Sequence, residues 1–216
     1  MDVVVADAGV SIDGADPDPM VAQAAASEIG GSTVAFSESI TSPSAAQALV
    51  DYATESFGRS DIIVNYAAIL RDAFIFKCNP TDWDSVISTN LSAAYYLLSA
   101  ATPLLRANSK NSSDYNCGRI VNITSTAGFY GNFGQAAYSS AKAGLFGLTR
   151  AVALDMSRSG VTCNAVAPFA ATRVTETIQP ANDSQAEYKA RALRLSATHV
   201  ATLVSVSYTH LRAHET

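Results

Sequence analysis

The chain has 216 residues, 48% of them hydrophobic and 15% charged, with a formal net charge of −5. That length holds one domain with a sizeable core, and that composition excludes a disordered polypeptide. The acidic balance argues against nucleic acid or an anionic membrane as a partner.

In chain order, short β-branched runs alternate with longer helical patterns. Val3–Ala6, Thr33–Phe36, Ile62–Asn65, residues 120–123 and residues 161–166 read as buried strands. Met20–Ile29 and residues 44–57, 82–106 and 135–157 read as helices, with Pro43 just ahead of the second. Residues 11–19 form a Gly/Asp/Pro loop, and residues 108–117 a polar one. Strand–helix alternation of this kind predicts an α/β fold, a doubly wound parallel sheet of Rossmann type. Cys78, Cys117 and Cys163 are odd in number and widely spaced, which reads as reduced cytosolic-type thiols, so a cytoplasmic protein with no metal site is expected. No apolar stretch is long enough to span a bilayer.

The sharpest local signal is Tyr138-Ser139-Ser140-Ala141-Lys142. Four residues apart on a helix, Tyr138 and Lys142 share one face. A phenol ionises near pH 10, too high for efficient acid–base work at neutral pH, and a neighbouring ammonium favours the phenolate. The pair is a candidate proton relay; by itself it is also consistent with two ordinary helix residues. Upstream, Ser125 ends the run Gly118-Arg119-Ile120-Val121-Asn122-Ile123-Thr124-Ser125, at the carboxyl edge of a strand, where open α/β sheets bind ligands. Asn90, inside a long helical pattern, reads either as a structural polar contact or as a kink that holds a water for relay to Lys142.

In order and spacing, Asn90, Ser125, Tyr138 and Lys142 resemble the catalytic tetrad of the short-chain dehydrogenase/reductase family, and the resemblance runs over nearly the whole chain. It implies Tyr138 as general acid–base and Lys142 as the group that lowers its pKa and binds the nicotinamide ribose. Ser125 would orient the substrate oxygen, and Asn90 would organise the relay. It also implies a nicotinamide cofactor held by Asp7, Ser39, Ile40, Asn65, Ala67, Tyr138, Lys142, Pro168 and Thr172. Asp7 at the tip of Val3–Ala6 would accept the adenosine ribose hydroxyls and repel a 2′-phosphate, favouring NAD over NADP; a turn-forming Asp is the alternative. Tyr66 and Ala68 depart from the family's Asn-Asn-Ala-Gly, and Phe169-Ala170-Ala171 from its Pro-Gly start.

Ala68-Ile69-Leu70-Arg71-Asp72 and Phe129-Tyr130-Gly131-Asn132-Phe133-Gly134-Gln135 resemble the (3R)-hydroxyacyl-CoA dehydrogenase domain of peroxisomal multifunctional enzyme type 2 and its bacterial relatives. Core packing is the alternative use of those aromatics. The implied substrate is a 3-hydroxyacyl or 3-oxoacyl thioester; another alcohol or ketone stays open, as does an inactive fragment unable to hold cofactor. A peroxisomal location stays open beside the cytoplasmic one. A homo-oligomer is expected, with Ala141, Ala143, Gly144 and Gly147 serving packing between subunits or within one.

The family's first strand, with its Gly-rich turn, and its last strand find no counterpart, so residues 1–205 are expected to form a partial Rossmann-type domain. The absent first strand would leave a gap or a forced pairing at the sheet centre, between Val3–Ala6 and Ile62–Asn65. Residues 206–216 resemble a translated sequencing-library adapter and are expected to form an irregular or exposed non-native tail. They carry His210 and His214, whose spacing is not taken as a metal site.

Overall fold

The computed structural model describes residues 2–111, 118–180 and 182–209. Its strands are β1 (Val3–Ala6), β2 (Thr33–Phe36), β3 (Ile62–Asn65), β4 (Arg119–Ile123) and β5 (Thr162–Val166). The longer helices are α1 (Met20–Ile29), α2 (Pro43–Phe57), α3 (Pro80–Ile87), α4 (Ala93–Asn111), α6 (Ala136–Met156), α8 (Asp183–Ala192) and α9 (Ala197–Thr209); α5 (Ala127–Tyr130) and α7 (Arg173–Thr177) are single turns. Ser42 starts α2 by accepting from the Ala45 amide, with Pro43 at the first helical position, and Gly58 ends it in the left-handed conformation.

All strand pairs are parallel, and the pairing falls into two ladders, β1–β2 and β3–β4–β5. Alternation along β4 gives the three-strand sheet two covered faces. Ile120 joins the large core cluster with Leu49 and Val50 of α2, Leu97, Leu98, Ala101 and Leu105 of α4, and Met156 of α6. Val121 and Ile123 point the other way and meet Val166 and Val204 of α9. This two-sided burial is the doubly wound arrangement expected from the sequence.

Of the gap or forced pairing expected at the sheet centre, the structure has the gap. Among the described residues no ladder joins β1 to β3. A cavity of about 90 Å³ lies there, lined by Ala6, Val64 and Asn65 at the strand tips and by Leu49, Ala93, Leu97 and Leu145 from the helices. Val64 keeps 40% of its surface exposed and Ile62 36%, high for strand residues of a parallel sheet.

Three expectations need correction. The long helix predicted over residues 82–106 is interrupted by a π-helical turn at Ser88–Ser92, which separates α3 from α4. The tail predicted from residue 206 is not irregular at its start: α9 continues through Thr209, and Ser207 is buried, with its hydroxyl donating to Leu203 O. His210 and His214 lie outside the described residues, as does Cys117. The predicted loop at 108–117 is helical up to Asn111, and the remainder lies outside the described residues. No helix among the described residues is long and apolar enough to cross a membrane.

Candidate active site

The site is built where β4 ends. Thr124 closes the strand by donating its amide and its hydroxyl to Val166 O, at 2.8 and 3.1 Å. The next residue, Ser125, accepts from the Ala127 amide at 3.2 Å, just ahead of α5. That short turn lies flush against α6 because residue 128 is glycine. A Cβ there would fall 2.8 Å from both Ala143 N and Lys142 C, which only a backbone shift could relieve. Close approach of α5 to α6 brings Ser125 beside Tyr138, near enough for its hydroxyl to favour the ionised phenol.

Lys142 follows on the same face of α6. Its side chain is 2% exposed, and its ammonium donates to Ile123 O at 2.8 Å and stands 5.7 Å from the Tyr138 ring centroid. Burial pushes its pKa down to about 8, because taking an ammonium out of water disfavours the charged form. Tyr138 departs from the expectation that Lys142 lowers its pKa. Burial raises the phenol above its ordinary value, the Ser125 hydroxyl opposes this, and Asp72, Tyr188 and Tyr66 add to the rise. The lysine is aimed at a carbonyl rather than at the phenolic oxygen, and it is itself destabilised as a cation.

Asn90 sits in the π-helical turn, 1% exposed. Its Oδ1 accepts from Ile69 N and its Nδ2 donates to Ile69 O, both at 2.8 Å. The side chain therefore clamps the segment following β3, which is the structural contact of the two readings. The π-helical turn around it is of a kind frequent at functional sites. Ser125, Tyr138 and Lys142 thus converge, while the Asn90 amide is committed to Ile69.

The remaining candidates frame the break between the two ladders. Asp7 follows β1, is exposed, and accepts from the Gly9 amide at 2.8 Å. Gly9 is required there: its φ is +68° and a Cβ would meet Asp18 O at 1.9 Å. Ile40, Asn65 and Ala67 line the central cavity together with Tyr66, while Ser39 exchanges a hydrogen bond with Thr41. Asn65 donates to Asn122 Oδ1 at 2.6 Å, and Asn122 continues to Thr149 of α6 at 2.9 Å. This buried polar chain ties β3 and β4 to the Tyr138 helix. Pro168 follows β5, and Thr172 caps α7 by accepting from Thr175 N at 3.3 Å.

A family model described as short chain dehydrogenase matches residues 2–186. The chain belongs to the short-chain dehydrogenase family. A 3-oxoacyl-[acyl-carrier-protein] reductase of Synechocystis is 40% identical over 150 residues, covering 69% of this chain and 58% of that protein. The peroxisomal multifunctional enzyme type 2 of Mus musculus is 36% identical over 181 residues, covering 82% of this chain and 23% of that protein. A crystal structure of a short chain dehydrogenase from Mycobacterium avium superposes with a TM-score of 0.71 at 38% identity, covering 85% of this chain and 64% of that one. The chain spans 61% down to 19% of the length of the curated relatives it matches.

Membership in the short-chain dehydrogenase family agrees with the likeness read from the four-residue spacing. Two contributors to the site were not legible as such. Gly128 carries no motif that marks a close backbone approach. The Asn65–Asn122–Thr149 chain links three elements far apart in sequence. Of the small residues on α6, Ala141 is fully buried, and a Cβ on Gly144 would meet Leu91 at 2.7 Å, so both serve packing within the chain.

Proposed function

We propose that the protein is a nicotinamide-dependent oxidoreductase that interconverts a secondary alcohol and a ketone, with a 3-hydroxyacyl or 3-oxoacyl thioester as substrate and NAD as cofactor. The observation that carries the reading is the convergence of Ser125, Tyr138 and Lys142 at the carboxyl end of β4. The thioester is supported by relatives named 3-oxoacyl-[acyl-carrier-protein] reductase and peroxisomal multifunctional enzyme type 2.

The residues present fit the cofactor in part. An exposed carboxylate at the tip of β1 suits two ribose hydroxyls, and Ile40, Asn65 and Ala67 line one cavity beside it. Asp7 would hold the adenosine ribose, Ser39 and Ile40 the adenine, Asn65 and Ala67 the adjoining backbone, and Pro168 and Thr172 the nicotinamide end. The nicotinamide supplies the hydride acceptor or donor when bound.

In the reducing direction Tyr138 donates its phenolic proton to the carbonyl oxygen, and Ser125 holds that oxygen by a hydrogen bond. In the oxidising direction the phenolate takes the hydroxyl proton. Lys142, whose pKa burial lowers to about 8, would hold a ribose hydroxyl of the cofactor beside its bond to Ile123 O. Asn90 acts through Ile69, fixing the segment after β3 at the edge of the site.

The test is reduction of a 3-oxoacyl thioester followed by NADH absorbance, comparing the protein with Tyr138→Phe. The variant is expected to lose turnover by a factor of 10² or more, in the ~10²–10⁴ range of a general acid–base, while cofactor still raises the thermal midpoint. Full turnover by the variant would remove Tyr138 from the chemistry.

A further inference from the structure

The helix that carries Tyr138 begins without a side-chain cap. Gln135 occupies the N-cap position, where Ser, Thr, Asp or Asn is favoured, and its side chain makes no capping bond. Its amide is used elsewhere. Nε2 donates to Asp72 Oδ2 at 2.9 Å, and Oε1 accepts from Asn132 Nδ2 at 3.1 Å. Gln135 is 8% exposed, so its amide is held between those two partners rather than in water. Beside it, Ala73 N donates to Gly134 O at 2.8 Å, and Ala73 and Gln135 form an isolated parallel bridge.

The segment carrying Asp72 is fastened along its length. Asn90 holds Ile69 at both backbone groups, and Leu70 N donates to Ile12 O. Arg71 reaches Asp13 O, Asp82 and Ser85 at 2.8, 2.9 and 3.2 Å. Residues 69–73 therefore form a rigid rail from the π-helical turn to the first turn of α6. Trading a cap for a contact between distant elements is a local rule broken where function is expected.

We propose that Asp72 and Gln135 are a positioning pair for Tyr138: the Gln135 amide holds the Asp72 carboxylate, and together they seat the first turn of the Tyr138 helix against the segment following β3. The inference rests on the reading of Tyr138 as the acid–base. Asp72 is also a negative group within electrostatic reach of the phenol. The groups acting on the phenol are Ser125 after β4, Asp72, Tyr188 on α8 and Tyr66 just after β3, and the Lys142 ammonium on α6 stands 5.7 Å from its ring centroid. An anion there opposes formation of the phenolate, so Asp72 holds Tyr138 protonated to higher pH. Its own carboxyl stands above the ordinary value through burial, with the Gln135 bond opposing.

Two variants separate strap from charge. Asp72→Asn keeps an oxygen acceptor for Gln135 and removes the charge, whereas Gln135→Ala removes the strap and keeps the charge. Tyr138 is titrated by NMR of tyrosine labelled at Cζ, its resonance assigned by its loss in Tyr138→Phe. Asp72→Asn is expected to lower the Tyr138 midpoint, with unchanged thermal midpoint. The rising limb of the rate of alcohol oxidation against pH should move down equally. Gln135→Ala is expected to lower kcat several-fold with KM nearly unchanged. A Tyr138 midpoint in Asp72→Asn equal to that of the parent, or full turnover by Gln135→Ala, overturns the proposal. Because the titration is read without substrate, retained turnover in Tyr138→Phe would sink the acid–base reading while leaving the Asp72 effect to be judged on its own.

Discussion

Replacing Lys142 with methionine should stabilise the protein at neutral pH while abolishing turnover. The lysine is 2% exposed, and burial lowers its pKa from 10.5 to about 8. Below pH 8 both folded and unfolded chains carry the proton, and the folded state bears the full cost of the buried charge, about 3 kcal/mol. Between about 8 and 10.5 the unfolded chain binds more protons than the folded one, so this group's contribution to stability rises with pH. Methionine keeps the apolar stem and removes the ionisation, but leaves Ile123 O without its 2.8 Å donor, a loss of about 1 kcal/mol. Lys142→Met should therefore gain about 2 kcal/mol at pH 7, or roughly 4–8 °C in thermal midpoint, and nothing at pH 10. Circular dichroism melts of both proteins at the two pH values make the measurement. A variant less stable than the parent at pH 7, or a difference that does not shrink with pH, would refute the argument.

Three further outcomes are expected. Asp7→Ser combined with Ala8→Arg should shift cofactor preference from NAD toward NADP, measured as the ratio of kcat/KM values; a parent that already prefers NADP rejects the role of Asp7. Gly128→Ala should destabilise by about 1–3 kcal/mol, because the new methyl meets backbone of Lys142 and Ala143, and denaturant unfolding reads the loss. The same variant should lower kcat by moving Ser125 away from Tyr138, and parent-like stability and turnover would show that α5 can retreat without consequence.

The Val3–Ala6, Thr33–Phe36 and Ile62–Asn65 strands and the Met20–Ile29 helix were legible because each is a local pattern bounded by Gly, Pro or polar residues. Tyr138 and Lys142 were legible because a helix converts a four-residue spacing into a shared face. Asp72 and Gln135 were visible only as parts of a likeness; their partnership joins residues distant in sequence, and nothing in either segment announces it. The π-helical turn at Ser88–Ser92 was hidden for a similar reason: it carries the bond between Asn90 and Ile69, a contact between residues far apart in sequence.

What the sequence by itself determined is the alternation of parallel strands and helices, the family, and the order of the four polar residues, since these depend on periodicity and spacing along one chain. Tertiary structure decided how those residues act on one another. It turned Lys142 toward Ile123 O, and it buried Tyr138, so that the phenol is raised rather than lowered. It spent the Asn90 amide on Ile69. It left β1 and β3 in separate ladders with a cavity between them. The first two follow from desolvation and from the demand that buried polar groups find partners, and both are set by neighbours that only the folded chain supplies.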